Sequence, residues 1–155
     1  MMQVNGENQM DYGAVDSRGT CLRVSLACIA HNARALKARM GESVRMLAVV
    51  KANAYGHGLI PVAKTALENG ASFLGVATPE EGRSLRRAGV TAPILVLGNV
   101  SPLGARIAVA EGLTQTVCDP AGVGLLAAAL FAAGRGLGEV ACRVGVLLLP
   151  VEGRS

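Results

Sequence analysis

Apolar and polar positions along the chain form a repeating order, in which short apolar runs alternate with longer stretches of helical period. The apolar runs predict strands, because each is short and most are bounded by glycine or proline. One helical stretch lies between each run and the next, which is the order of βα units in a parallel sheet. An open doubly wound sheet and a (β/α)8 barrel both fit this order. The strand centres lie twenty-odd residues apart, near Val49, Gly75, Val96, Thr116 and Val144.

Capping signals predict where several helices begin. Thr78, Ser101 and Asp119 each precede a proline, so a capping side chain is followed by proline at the first helical position. Glu81 stands three residues after Thr78, which is the spacing of a capping box. The helices with these starts are predicted to end near Ala88, Ala110 and Ala133, and further helices to span Ala27 to Met40 and Leu59 to Asn69. The remaining predicted strands are Phe73 to Ala77, Ile94 to Leu97, Leu113 to Val117 and Val140 to Leu149.

The N-terminal residues differ in character from the rest of the chain. Residues 1–20 are polar and show no period, so we expect a mobile leader without a function. Leu22, Val24 and Leu26 then alternate as in a short strand, before the first helix. We therefore expect the folded domain to span residues 21–155. The predicted apolar face of the first helix consists of Ile29, Ala33, Leu36 and Met40.

Composition argues against several classes of function. The chain is 51% hydrophobic with a mean hydropathy of +0.41, yet its uncharged segments are short: Pro120 to Gly134 has 15 residues, and Ala88 to Ala105 has 18, two of which are proline. A membrane-spanning helix needs about 20, so no membrane span is predicted. The net charge of +4 comes from scattered arginines without interleaved aromatic residues, which argues against nucleic-acid binding. Because the first twenty residues contain no secretory signal, the expected location is cytoplasmic.

The four cysteines form no Cys-x-x-Cys pair, and most are flanked by apolar residues. We therefore expect small buried hydrophobic side chains at these positions, in preference to zinc ligands or disulfides. No metal site is predicted. The cysteines are Cys21, Cys28, Cys118 and Cys142.

A lysine follows the first strand of the repeating order. Leu47 to Val50 is an unbroken apolar run, typical of a strand covered on both faces, and Lys51 comes directly after it. Where a buried strand surfaces, desolvation favours the neutral, nucleophilic form of a lysine amine, which Schiff-base chemistry requires. A solvated surface charge is the plainer explanation of this lysine taken alone.

The seven residues after Lys51 indicate a ligand site. Small and polar residues alternate there, so a ligand can lie close to the backbone. Tyr55 can offer its hydroxyl to a phosphate, and the helix that begins near Leu59 can direct free backbone N–H groups to the same phosphate. Packing for the tyrosine and a plain turn for Gly-His-Gly are the alternatives. The small residues are Ala52, Ala54, Gly56 and Gly58, and the polar residues are Asn53, Tyr55 and His57.

Taken as one string, Val49 to Gly58 reads Val-Val-Lys-Ala-Asn-Ala-Tyr-Gly-His-Gly and resembles the pyridoxal-phosphate attachment motif of the alanine racemases. The resemblance implies that Lys51 carries pyridoxal 5'-phosphate, that Tyr55 binds its phosphate and that Leu97 lines the cofactor pocket. It favours the barrel, and it implies a homodimer that interconverts L-alanine and D-alanine, the latter for peptidoglycan. An N-terminal run of the family is matched by Val24, Leu26, Ile29 and Asn32, whereas Ser25, Ala27 and Cys28 depart from it.

The C-terminal part of the chain lacks the family's further motifs. The family carries a His-x-Lys-x-Asp-Thr-Gly type of run there and an arginine for the pyridine nitrogen, but residues 143–155 contain no such run and Arg154 has no matching neighbours. The family's opposing base is a tyrosine of the partner's C-terminal domain, and only Tyr12 remains beside Tyr55. We therefore expect about half of a barrel, from a truncated or frame-shifted chain without the C-terminal β domain, and no activity from this chain alone.

Three alternatives stay open beside this interpretation. The chain could be a racemase of another amino acid, because the residues that select the substrate are not in this part of the family's sequence. It could instead hold pyridoxal phosphate as an aldimine without catalysis, or it could be a structural partner that binds no ligand. Cofactor absorbance separates the last of these from the others, and racemisation of alanine separates an enzyme from a cofactor holder.

Overall fold

The structure is a computed structural model that describes residues 3–5, 9–11 and 22–135. The predicted strand Val140 to Leu149 and the residue Arg154 lie outside the described residues. The strands are β1 (Gln3–Asn5), β2 (Gln9–Asp11), β3 (Arg23–Ser25), β4 (Met46–Val49), β5 (Ala71–Val76), β6 (Ile94–Val96) and β7 (Thr114–Gln115). The helices are α1 (Leu26–Met40), α2 (Lys51–Tyr55), α3 (Leu59–Glu68), α4 (Pro79–Arg87), α5 (Pro102–Ala110) and α6 (Pro120–Ala132).

Strands β4 to β7 form a parallel sheet in chain order. Val49 lies beside Gly75, Gly75 beside Leu95, and Leu95 beside Thr114. At least one helix connects each strand to the next, which confirms the predicted βα units. A doubly wound sheet reverses its strand order at the ligand site. The four described strands show no reversal, so they have the arrangement of part of a (β/α)8 barrel.

The core lies between one face of this sheet and the helices. Leu74, Val76, Ile94 and Val96 are at most 1% exposed, and they pack in one cluster with Leu85 of α4. Successive side chains of a strand point to opposite faces, so every second residue of each strand contributes to this core. The sheet thereby buries its helix-facing side chains and leaves the alternate ones for its other face.

The other face of the sheet, which we call the inner face, carries Leu47, Val49 and Leu97. These side chains are 38%, 36% and 38% exposed. The prediction that the run Leu47 to Val50 is covered on both faces is therefore wrong for the part of the chain that the structure describes. In a closed barrel this face lines the interior, and four strands are too few to close around it.

Residues 1–20 contain regular structure that the sequence did not predict. Strands β1 and β2 pair antiparallel with each other, and β2 pairs with β3. Each is three residues long, which is too short to produce a period in the sequence. The predicted strand around Val24 therefore belongs to this separate sheet, and Leu26 begins a helix instead of ending a strand.

Helix α1 differs from its predicted amphipathic pattern. Ala33 is buried and Ile29 is partly buried, but Leu36 and Met40 are exposed. Only α3 packs extensively on this helix among the described elements, so one stripe of it is covered and the rest meets solvent. Ser25, which departs from the family's N-terminal run, has a local role here because its Oγ accepts from the Cys28 N–H at 3.3 Å.

The three predicted helix starts are confirmed. Thr78 Oγ1 accepts from Glu81 N at 3.4 Å, Ser101 Oγ from Gly104 N at 3.0 Å, and Asp119 Oδ1 from Gly122 N at 2.7 Å. Each of these helices also has proline in its first turn. Capping chemistry therefore predicted these boundaries within one or two residues.

Two cysteines contradict the prediction of small buried side chains. Cys28 and Cys118 are exposed and unpaired, because Cys28 lies on the outer side of the first turn of α1 and Cys118 lies in the loop before α6. None of the helices among the described residues has the length and apolarity needed to cross a bilayer.

Candidate functional site

The residues after β4 form a left-handed turn. Ala52, Asn53, Ala54 and Tyr55 have φ values of 52°, 55°, 52° and 55°. This conformation costs roughly 1–2 kcal/mol for each residue with a Cβ atom, so it persists only where other contacts hold it. The segment is a single compact turn, helix α2.

Asn53 holds the turn against the following helix. Its backbone oxygen accepts from Gly58 N at 2.9 Å, and its Oδ1 accepts from Leu59 N at 2.8 Å. Asparagine is among the residues that tolerate a left-handed conformation best. The prediction that the first N–H groups of α3 are free for a phosphate is therefore wrong at Leu59, whose N–H is already bonded.

Ala54 and His57 hold the turn from two further sides. The Ala54 side chain is 4% exposed and packs in the core under the sheet, and its N–H donates to Val50 O at 2.8 Å. His57 Nδ1 lies 3.0 Å from Ala54 O and 3.2 Å from Tyr55 O. Both neighbours are carbonyl acceptors, so Nδ1 is the ring nitrogen that carries hydrogen. The Ala54 side chain thus anchors the turn to the core.

We expect Asn53→Ala to lower the free energy of unfolding by about 1–2 kcal/mol, because it removes the acceptor of the Leu59 N–H and places a less tolerant residue in the turn. Urea unfolding followed by circular dichroism measures the change. Asn32→Ala on the exposed side of α1 is the matched control, with an expected change within about 0.5 kcal/mol. Equal losses from both variants would contradict this role of Asn53.

The predicted site residues lie at the carboxyl edge of the parallel sheet. Lys51 is partly buried and begins the turn, and Tyr55 ends the same turn with 61% of its side chain exposed. Leu97 follows β6 on the inner face, two strands away. A Cβ atom on Gly75 of the intervening strand would lie 3.3 Å from Leu47 and Val49 and 3.6 Å from Leu97. Glycine at position 75 therefore leaves room for these three apolar side chains to approach one another on the inner face.

The chain beyond Leu97 is held by hydrogen bonds at Gly98. Gly98 N donates to Ala77 O at 3.1 Å, and a Cβ atom at position 98 would lie 2.5 Å from that oxygen, so only glycine fits. Gln115, which is 1% exposed, donates from Nε2 to Gly98 O at 2.7 Å. Gln115 lies between two threonines in a short strand, and nothing in the sequence alone indicates such a role.

Glu81 also belongs to this edge, although the sequence predicted only a capping box. Its Oε1 accepts from Ala52 N and its Oε2 from Ala77 N, both at 2.7 Å. The carboxylate thus joins the residue after Lys51 to the residue after β5. Only the parallel register that places β4 beside β5 brings these positions together, so a motif of local spacing could not predict the contact.

Comparisons with known proteins agree with this architecture. A sequence profile described as "Alanine racemase, N-terminal domain" matches residues 24–138. The alanine racemase of Symbiobacterium thermophilum is 51% identical over 122 residues, which are 79% of this chain and 31% of that protein. Alanine racemase 2 of Caldanaerobacter subterraneus subsp. tengcongensis is 43% identical over 128 residues, which are 83% of this chain and 30% of that protein.

Solved structures give the same result. The alanine racemase from D-cycloserine-producing Streptomyces lavendulae has a TM-score of 0.66 at 42% identity, and the match covers 71% of this chain and 28% of that one. The alanine racemase from Bacillus anthracis with bound L-Ala-P has a TM-score of 0.61 at 46% identity, with 63% and 25% covered. The chain thus spans under a third of the length of these relatives.

The fold is that of part of a (β/α)8 barrel domain. Its first parallel strand, β4, is followed closely by Lys51 and a left-handed turn. The profile match extends over well more than half of the chain. The chain belongs to the alanine racemase family through its N-terminal domain.

Proposed function

We propose that the chain is the barrel part of a pyridoxal-phosphate-dependent alanine racemase, in which Lys51 holds the cofactor. The observation that carries this proposal is the position of Lys51, at the carboxyl end of a parallel strand and at the start of a turn that is bonded on several sides. Reactive residues of (β/α)8 barrels lie at this edge. We propose alanine as the substrate because the relatives are named alanine racemases.

The donor set at this edge fits pyridoxal phosphate. Among the described residues, Lys51 has no hydrogen-bond or ion-pair partner, whereas Lys37 Nζ donates to three carbonyl oxygens at the end of α1. An amine that is not engaged can react with an aldehyde. Tyr55 presents an exposed hydroxyl that can donate to a phosphate, and Leu97 and its neighbours supply an apolar wall for a ring.

When bound, pyridoxal phosphate supplies an electron sink that makes the α-hydrogen of an amino acid acidic. Lys51 would hold the cofactor, and its amine, once free again, would take this proton from, or return it to, one face of the α-carbon. The Tyr55 hydroxyl would hold the phosphate and so orient the ring relative to Lys51. The side chain of Leu97 would exclude water from the ring. The second base that racemisation needs, on the opposite face, has no candidate among the described residues of this edge, and we propose that a partner subunit supplies it.

A cofactor holder without catalysis is the second candidate function. It is favoured by the single base among the described residues of this edge, because efficient inversion of the α-carbon needs a base on each face. Retained cofactor with neither hydrogen exchange nor inversion would indicate this second function.

Incubation of the chain with L-alanine and pyridoxal phosphate in deuterium oxide tests these proposals. Mass spectrometry measures deuterium at the α-carbon, and chiral chromatography measures D-alanine. Lys51 acting as a base predicts exchange above that of free pyridoxal phosphate, and its loss in Lys51→Arg but not in Lys64→Arg. Exchange equal to that of the free cofactor would contradict Lys51 as a base, and inversion by this chain alone would contradict the need for a partner.

We expect Tyr55→Phe to weaken the binding of pyridoxal phosphate by at least about ten-fold, because one hydrogen bond to a charged acceptor contributes roughly 1.5–3 kcal/mol. Attachment at Lys51 should persist, since the amine is unchanged. Equilibrium dialysis measures the dissociation constant, with Tyr12→Phe as the matched control. An unchanged dissociation constant in Tyr55→Phe would exclude Tyr55 from the phosphate site.

A further inference from the structure

One carboxylate bridges two neighbouring strands at the edge that carries Lys51. Glu81 Oε1 accepts from Ala52 N and Glu81 Oε2 from Ala77 N, each at 2.7 Å. Hydrogen bonds of this length to a charged acceptor are about twice as strong as neutral ones. The side chain is partly buried, which limits competition from water. The bridge therefore restrains the chain directly after the lysine.

This geometry differs from that of an ordinary capping box. In a capping box the third helical residue turns back to the N–H of its own capping residue, here Thr78. Glu81 instead bonds the N–H before that residue and a second N–H on another strand. Thr78 and Pro79 already begin the helix without this carboxylate. Helix initiation thus leaves the contact with Ala52 unexplained.

The bridge completes the restraint of the lysine backbone. The peptide unit before Lys51 is held by its carbonyl, because Val50 O accepts from Ala54 N at 2.8 Å. The peptide unit after Lys51 is held by its N–H, because Ala52 N donates to Glu81. Peptide units are planar, so fixing both planes fixes the direction of the Lys51 Cα–Cβ bond. Only the side-chain torsions of the lysine then remain free.

The bridge also compensates a strained residue. Ala52 has a φ of 52°, and its side chain is exposed, so core packing does not hold it in this conformation. Ala54, two residues later in the same turn, is held by burial. The hydrogen bond to Glu81 therefore holds Ala52 in its left-handed conformation, as burial holds Ala54 in the same conformation.

We propose that Glu81 is a positioning residue, whose carboxylate sets the direction in which Lys51 leaves the sheet relative to the phosphate side of the site. This proposal rests on the proposed function, because it concerns how the lysine meets pyridoxal phosphate. A purely structural link between β4 and β5 is the competing interpretation. The two differ in whether the loss of Glu81 affects a phosphate-bearing aldehyde selectively.

Labelling rates at Lys51 separate the two interpretations. Borohydride reduction with peptide mapping gives the rate at each lysine. Pyridoxal lacks the phosphate and closes to an internal hemiacetal, so it reacts more slowly with any amine, and the preference for pyridoxal phosphate at Lys51 is measured relative to that at Lys64. In the wild-type chain, an oriented lysine predicts a larger ratio of pyridoxal phosphate to pyridoxal labelling at Lys51 than at Lys64. Glu81→Gln retains one acceptor oxygen and replaces the other with a donor. We expect it to lower the Lys51 rate with pyridoxal phosphate about ten-fold, and to leave the pyridoxal rate unchanged.

Matched variants control for charge and folding. Glu80→Gln makes the same charge change in the same helical turn, but the Glu80 carboxylate lies outside the bridge, so its rates should equal those of the wild type. Glu81→Asp keeps the negative charge at the helix start but is too short to reach both N–H groups. It should therefore show the same selective loss. Labelling of Lys64 on α3 serves as the internal reference within each variant.

The outcomes distinguish this inference from the proposed function. No preference for pyridoxal phosphate at Lys51 in the wild type would overturn both. A wild-type preference that persists in Glu81→Gln and Glu81→Asp would overturn the inference alone, as would an equal loss with both aldehydes. Hydrogen exchange of the wild type adds a readout that needs no variant. The Ala52 amide should exchange slowly although the residue is exposed, and fast exchange would overturn the inference.

Discussion

Borohydride reduction of the chain with pyridoxal phosphate is expected to label Lys51 at least about ten-fold more than either other lysine, and Lys51→Arg is expected to remove the selective label. The chain contains three lysines, Lys37, Lys51 and Lys64. Lys37 is engaged by three carbonyl oxygens, and Lys64 is exposed on α3, outside the turn that carries Tyr55. Peptide mapping after digestion measures the label at each position.

Lys64→Arg is the matched control for this experiment. It removes an amine from the surface and leaves the turn after β4 unchanged, so we expect the label at Lys51 to stay the same. Even labelling of the three lysines would contradict the assignment of Lys51. Labelling confined to Lys64 would indicate that exposure, and not position at the sheet edge, determines reactivity.

The βα order of the fold could be predicted because its signals are local in the sequence. Thr78, Ser101 and Asp119 cap their helices as their sequence context predicts, because capping depends on neighbouring residues alone. The strands around Gly75 and Val96 were recognised because their apolar runs are short and bounded. Because these features depend on few neighbouring residues, they can be predicted even from the sequence of one part of a domain.

The conformation of the site could not be predicted from residue types. Four consecutive residues with positive φ include two alanines and a tyrosine, which seldom adopt that region. What holds them comes from elsewhere in the fold, through the core around Ala54 and the carboxylate of Glu81. The sequence identified Lys51 and Tyr55 as candidates, and their roles as cofactor residues stay predictions. It identified Asn53 only as a polar residue of the candidate ligand site and Glu81 only as part of a capping box. The contacts of Glu81 with Ala52 and of Gln115 with Gly98 join residues far apart in the sequence, so they depend on the tertiary structure.

The sequence pattern and the described structure differ most in the burial of the inner face. The apolar run Leu47 to Val50 predicts burial on both sides of the strand, and only the helix side is buried among the described residues. The run is therefore suited to a closed barrel, in which further strands cover Leu47 and Val49. Gly75 also suits a closed barrel, because a side chain at position 75 would crowd Leu47, Val49 and Leu97 on that face.

A polypeptide of these 155 residues is expected to associate or aggregate in solution at micromolar concentration. Strand β4 is at one edge of the described sheet, so one side of its backbone is unpaired and can add strands from another chain. The inner face adds exposed apolar area at Leu47 and Val49. Fully burying an exposed aliphatic side chain contributes about 1.5–3 kcal/mol, and little more than a third of each of these side chains is still exposed, so covering both against a second chain contributes on the order of 1–2 kcal/mol. Sedimentation velocity over a concentration series measures the monomer fraction.

Substitution of the inner face should reverse this association. Leu47→Lys with Val49→Lys places two charges on the face and at the strand edge, and charged side chains are what natural edge strands use against pairing. We expect the dissociation constant of the association to rise about ten-fold, since the association loses about 1.4 kcal/mol of apolar burial. Leu36→Lys, on the exposed side of α1, is the matched control and should leave association unchanged. A wild-type chain that sediments as a monomer throughout and unfolds cooperatively on heating would contradict this expectation, because it would require the edge of β4 and the inner face to be covered within one chain.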